Sequence, residues 1–265
     1  METIRKADLR PGDVLLFHGN GFLSKFIRFF DGSQYSHAAI WDGENVVEAE
    51  CQQGNGICVD TIEKACSTAA FTHVYRYTTK SGRRFIGALP VAPVEDQIKR
   101  FSQDHEGYAY SQIVLLGLLL ATRKIPLSTF APLLRYFMDE AAEQLNTLIN
   151  RGSKVIICSE LVYKCYEQAG SEYEIDVAGV EYDVIQAKLA PRATLMPSVT
   201  PDSDAAHLEK DGAAFLASYQ IAKPELRNAL AAIEPTNGIV AVPEFVTPRD
   251  LATSPNLLLV GQVQP

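Results

Sequence analysis

The sequence predicts an α+β fold, a small antiparallel sheet or half-barrel packed on a helix that starts at Cys158, with a helical insertion at about 108–150 and a C-terminal extension. Three observations predict it. Short apolar runs separated by turn residues fill the first part of the chain, and one pair of them carries a hairpin signal. A leucine-rich stretch follows. Then KVIICSELVYKCYEQAG passes from an apolar strand into residues repeating at helical spacing.

The elements follow in order. Pro11-Gly12-Asp13 reads as a turn, with Asp13 bonding to nearby backbone, and Val14 to Phe17 as a short strand. LSKFIRFF has helical spacing and predicts a short helix. SHAAIW and VVEAE flank DGEN, and Asp-Gly between apolar runs is a strong hairpin signal. If Asp42-Gly43 centre a two-residue turn, Trp41 faces Glu44, Ala39 faces Val46, and His37 falls opposite Glu48. A three-residue loop would put His37 opposite Ala49 instead, and Glu50, on the face of Glu48, is the fallback partner. Strands are expected at 56–59 and 72–77, and VEDQIKRFSQDHEG reads as an amphipathic helix closed by Gly107. The segments from Ser111 to Asn150 read as helices over the sheet. Val155 to Ile157 is an apolar run, and Leu161, Val162, Cys165, Tyr166 and Ala169 repeat as a helix capped by Gly170. Residues 202–235 read as two further helices, and Thr200-Pro201 and Thr247-Pro248 as cap-plus-first-turn pairs. Residues 1–200 are thus expected to form the main domain, and 201–265 a helical extension packed on it.

Composition narrows the function. The formal net charge is -8 and no Lys/Arg block occurs, which argues against a nucleic-acid partner. IVLLGLLLA, from Ile113 to Ala121, is far shorter than the roughly 20 residues a bilayer requires. No transmembrane segment and no secretory signal are read, so the sequence predicts a cytoplasmic protein, with export by a signal-less route as the alternative. The 5 cysteines, an odd number with no C-x-x-C pair, fit reduced thiols and indicate no metal. No cofactor is indicated, and oligomeric state is not legible.

Cys158 sits where chemistry is favoured. A helix N-terminus presents amides and the positive end of the dipole, which stabilise a thiolate and can hold an oxyanion. A neighbouring imidazole would add a thiolate–imidazolium pair. Taken singly, a strand histidine is more often structural and a lone cysteine more often an inert core thiol. The coincidence of His37, a carboxylate near its register and a cysteine at a helix start raises the catalytic reading above those. His18, His73, His105 and His207 lack such company.

GDVLLF, then SHAAIWDG and VVEA, then after a helical spacer CSELVYKCY, resemble the permuted (YiiX/YaeF-like) branch of the NlpC-type papain-like cysteine hydrolases, distantly related to the lecithin:retinol acyltransferase type. EFVTPRDLATS near the end is a fainter echo. The resemblance implies a circularly permuted papain-like fold in which the histidine strand precedes the cysteine helix. It implies Cys158 as nucleophile, His37 as base and Glu48 as the group orienting the histidine, through Nδ1–H, so that Nε2 faces the thiol. Tyr35, Tyr108 and Ser159 are expected nearby as substrate-binding or oxyanion groups. The implied activity is cleavage of an amide bond in a small peptide, amide or acyl substrate, with cell-wall peptide first. A lipid acyl hydrolase or acyltransferase using the same Cys–His site, its acyl chain held by residues 113–138, is the alternative. A catalytically inactive binding module is the second.

Overall fold

A computed structural model describes residues 1–49, 56–78, 90–103, 108–109, 111–122, 131–177, 180–181, 204–223, 239–240 and 242–264. In chain order the elements are β1 (Thr3–Arg5), β2 (Val14–Gly19), α1 (Phe22–Asp31), β3 (His37–Trp41), β4 (Val46–Ala49), β5 (Ile57–Asp60), α2 (Ile62–Cys66), β6 (Ala69–Tyr77) and α3 (Ala92–Gln103). There follow β7 (Tyr108–Ala109), α4 (Gln112–Thr122), α5 (Ala131–Asn150), β8 (Lys154–Val155), α6 (Cys158–Glu167), β9 (Val180–Glu181), α7 (Asp204–Ala222), β10 (Ile239–Val240), α8 (Pro248–Thr253) and β11 (Leu257–Gln264).

The architecture is mixed α+β, built on a curled seven-stranded half-barrel in the order β1-β11-β6-β2-β3-β4-β5. Neighbours run antiparallel except β1 and β11. The central strand β2 reads VLLF as one apolar run because both of its faces are buried. Val14 and Leu16 join Ala38, Ile40 and Val47 under the helices, including α6. Leu15 and Phe17 join Ala39, Trp41, Val46 and Val74 in a second cluster closed by Ile4, Leu9, Ile62 and Val263. The leucine-rich α4 is apolar all round, and every residue from Ile113 to Thr122 is buried, because α1, α5 and α7 pack around it.

Asp13 makes the expected local bond, accepting from the Arg10 amide at 2.8 Å. Its carboxylate also takes the Nε and Nη2 of Arg76 on β6 at 2.7 and 2.6 Å, which ties the first turn to the sheet. Two expectations need correction. The tail after residue 201 is helical in α7 and α8, but it ends in β11, which lies between β1 and β6 inside the sheet. The sequence hides this strand because a bulge between Leu259 and Gly261 interrupts its alternation, and its partner β1 is three residues long. Gly261 is required there by close approach, since a Cβ would lie 2.5 Å from the Glu2 carbonyl. Gly261→Ala is expected to lower stability by about 1–3 kcal/mol through that clash. Thermal unfolding checks it; an unchanged midpoint would mean that β1 is not held as described.

The hairpin register is the second correction. The reversal spans Asp42 to Asn45, with Asp42 N–H donating to the Asn45 carbonyl at 3.0 Å. The Asp42 side chain accepts from the amides of Glu44 and Asn45 at 2.8 and 2.6 Å. That side-chain turn centres the reversal on Gly43-Glu44, one residue beyond Asp42-Gly43. Trp41 therefore pairs with Val46 and Ala39 with Glu48.

Candidate active site

His37 opens β3, directly across from Phe17 at the end of the apolar run of β2. Ser36 fixes the entry to the strand: its amide donates to the Phe17 carbonyl at 3.0 Å, and its hydroxyl accepts from the Gly19 amide at 3.2 Å. Alternation keeps Glu48 on the same face as His37, because its cross-strand partner Ala39 is two residues from His37. The pair is thus diagonal rather than directly opposed, and the long Glu48 side chain spans the offset. Its Oε2 lies 2.7 Å from Nε2 of His37. The ring nitrogen held by Glu48 is Nε2, not the Nδ1 that the family resemblance implies. Glu50 lies outside the described residues.

Cys158 arrives from the other side. β8 delivers the chain to Ile157, whose extended backbone ends there, and α6 begins at Cys158. Helix α6 packs against β3 and β4, and this packing carries the start of the helix to the start of β3. Cys158 lies close enough to His37 for its thiol to act on the charge of the imidazole. Burial alone would pull the imidazole down. The charge of Cys158, then the hydrogen bond and charge of Glu48, outweigh it and hold the imidazolium well above the ordinary histidine range. The described structure therefore brings together Cys158, His37 and Glu48 from β3, β4 and α6.

Next to them lies a cleft of about 500 Å³ with His37 and Glu48 in its wall. Its other polar side chains are uncharged: Asn20, Ser24, Ser36, Ser67, Thr68 and Gln112. Cys158 has no exposed surface and is not part of the lining of this cleft.

The remaining expected residues divide. Tyr35 is buried away from the cleft: its hydroxyl is 2.7 Å from His73 Nδ1 and 2.9 Å from the Tyr75 hydroxyl, and burial pushes it up from its ordinary value. The Ser159 hydroxyl donates to the Val246 carbonyl at 2.6 Å, which ties the first turn of α6 to the EFVTP segment. Tyr108 lies in β7, its backbone paired with Lys154 just upstream of Cys158; its side chain is outside the described residues. Cys165, inside α6, is fully buried, and burial pushes its thiol well up.

Sequence reading missed a charged cluster behind the nucleophile. Glu160, fully buried in the first turn of α6, accepts from the Ile157 amide at 3.0 Å. Lys164 lies 2.8 Å from Glu160 and 3.3 Å from Glu244, and Lys223, just after α7, reaches both Glu160 oxygens at 2.5 Å. Burial would raise the Glu160 carboxyl, but Lys223 and Lys164 outweigh it and hold it below the usual carboxylate value. Burial also pulls the Lys223 ammonium below its ordinary value; the two-oxygen contact is the stronger sign of a charged pair. A glutamate at the third helical position is the reach-back half of a capping box, a signal the sequence did offer. Nothing local could have named Lys223, which lies 63 residues from Glu160.

Among the described residues, no group of three or more His, Cys, Asp or Glu could hold a metal ion, and no helix is long and apolar enough to cross a membrane. No family model matches the chain. A crystal structure of the metalloprotein YiiX from Escherichia coli O157:H7 matches with a TM-score of 0.43 and 14% identity, covering 97% of this chain and 98% of that one. That likeness decides nothing about function. In sequence, the chain is 28% identical over 185 residues to the "Probable lipoprotein peptidase YaeF" of Escherichia coli (strain K12). The match takes in 68% of this chain and spans 63% of the length of YaeF. Over about two thirds of its length, then, this chain is similar to a bacterial protein named as a probable peptidase.

Proposed function

We propose that the protein is a cysteine hydrolase of the amidase or peptidase type, with Cys158 as nucleophile, His37 as general acid and base, and Glu48 holding His37. The observation that carries this reading is one imidazole that bonds the Glu48 carboxylate and feels the charge of the Cys158 thiol. The similarity to YaeF supports it. A proton on His37 favours the thiolate on Cys158, and the dipole of α6 favours it again. The thiolate attacks the amide carbonyl, forming a C–S bond, while first-turn amides of α6 stabilise the oxyanion. As the C–N bond breaks, His37 gives its proton to the leaving amine. Water then attacks the thioester and gives His37 a proton, and the acid leaves as the thiolate returns.

The cleft argues for the substrate class. Its uncharged hydrogen-bonding lining suits peptide amides, with cell-wall peptide as the first candidate. A fatty acyl chain fits it poorly, and among the described residues the 108–150 insertion contributes only Gln112. The leucines of α4 are committed to packing, which weakens the acyltransferase reading. The complete burial of Cys158 favours a second reading, a binding cleft on an inactive scaffold. A panel of short peptide amides and long-chain thioesters, read by mass spectrometry for an acyl adduct on Cys158, separates the three. We expect adducts from peptides only. Adducts from the thioesters alone would establish lipid chemistry, and none from either would leave the binding module.

A further inference from the structure

We infer that Lys223 is a positioning residue for the nucleophile, acting through the buried Glu160 carboxylate to set the charge that a Cys158 thiolate meets. The inference rests on the cysteine-hydrolase reading and deepens it. Glu160 serves the start of α6, since its carboxylate closes the cap on the Ile157 amide and complements the helix dipole. The same carboxylate stands two residues from Cys158, in the same helical turn, and opposes a second negative charge there. A helix start stabilised in this way is a poor place for a thiolate unless the carboxylate is neutralised.

Two cations neutralise it, and they are not equivalent. Lys164 belongs to the same helix, is partly exposed and divides itself between Glu160 and Glu244. Lys223 comes from the end of α7, is 4% exposed and has both of its described ionic contacts on Glu160. The α7 helix also holds the cluster from its last turns: the Tyr219 hydroxyl donates to the Glu244 carbonyl at 3.0 Å, and Lys223 lies 5.9 Å from the centre of the Tyr219 ring. Among the described residues, the charged groups around the head of α6 are therefore His37 of β3, Glu48 of β4, Glu160 and Lys164 of α6, Glu244 before α8, and Lys223. Asp250 of α8 is engaged in its own cap with Thr247, and Arg100 of α3 meets α6 at the far end, on Gln168. With Lys223 in place the Glu160–Lys164–Glu244–Lys223 group is neutral; without it the head of α6 carries an extra negative charge.

The test is the rate of Cys158 alkylation by iodoacetamide against pH in the full chain, beside thermal unfolding, for wild type, Lys223→Met, Lys223→Arg, Glu160→Gln and the double variant. Lys223→Met should move the alkylation midpoint upward, so that the rate below the midpoint falls about tenfold. Glu160→Gln, which keeps an acceptor for the Ile157 amide, should move it the other way, and the double variant should return near wild type. Lys223→Arg should hold the wild-type midpoint. A lower melting temperature with an unmoved midpoint in Lys223→Met would overturn the inference and leave Lys223 a structural counter-ion. Should Lys223→Met fail to fold, Glu160→Gln and the double variant decide: both at the wild-type midpoint sinks the inference. An ordinary thiol titration in wild type itself would instead remove the hydrolase reading beneath it.

Discussion

Cys158→Ala is expected to abolish peptide hydrolysis, by at least about 10³-fold in kcat/KM, with the fold intact. The side chain is small and buried among apolar neighbours, so its truncation to alanine leaves only a small void. The loss is chemical. Without sulfur no acyl-enzyme forms, and the reaction is left with whatever the cleft and the helix amides contribute by binding. His37→Ala should cost nearly as much, because the imidazole is asked both to hold the thiolate and to protonate the leaving amine. The double variant should be little worse than either single one, since groups that act as a unit do not add. Assay of the three proteins on one peptide substrate, with circular dichroism as the folding control, checks this. Losses that multiply in the double variant would mean the two side chains work separately.

Glu160→Ala should produce the largest loss of stability, about 3–5 kcal/mol. Removing the carboxylate leaves Lys223 buried without its counter-ion and deprives Lys164 of one of its two partners. It also strips the acceptor from the Ile157 amide, so the first turn of α6 loses its cap. For a chain of this length that loss corresponds to a fall of about 10 °C in melting temperature. Glu160→Gln should cost clearly less, because the amide oxygen still accepts from Ile157. Equal melting temperatures for the two variants would show that the cap, and not the charge, is dispensable.

What the sequence revealed and what it hid follow from the range of the forces involved. Both ends of the site were legible locally: His37 begins an apolar strand beside a hairpin signal, and Cys158 begins a helix whose period is plain from Leu161 to Ala169. Glu48 was named from a direct cross-strand pairing with His37, whereas Ala39 stands opposite it and the His37–Glu48 contact is diagonal. The displacement came from the Asp42 side chain taking two amides, a contact that ordinary Asp-Gly turn chemistry does not announce. The ring nitrogen bonded to the carboxylate was expected to be Nδ1 by analogy with a serine triad, whereas Glu48, reaching along the diagonal, meets Nε2. Tyr35 was expected beside the site, but it precedes β3, and its phenol goes to His73 and Tyr75. β11 and Lys223 depend on partners far along the chain, β6 and Glu160, and no periodicity reports such pairings.

The pH dependence of Cys158 alkylation in wild type and in His37→Ala tests the central claim most directly. The His37 imidazolium is held well above its usual range by Cys158 and Glu48, against the pull of burial, so the thiolate partner of that cation should persist at acid pH. Wild type should react rapidly near pH 6, where an ordinary thiol is about 0.3% ionised, and keep that rate upward, while turnover falls once pH passes the raised His37 value and the leaving group loses its acid. His37→Ala should react about 10²-fold more slowly at pH 6 and recover only as its thiol ionises. Superimposable alkylation curves for the two proteins would contradict the account.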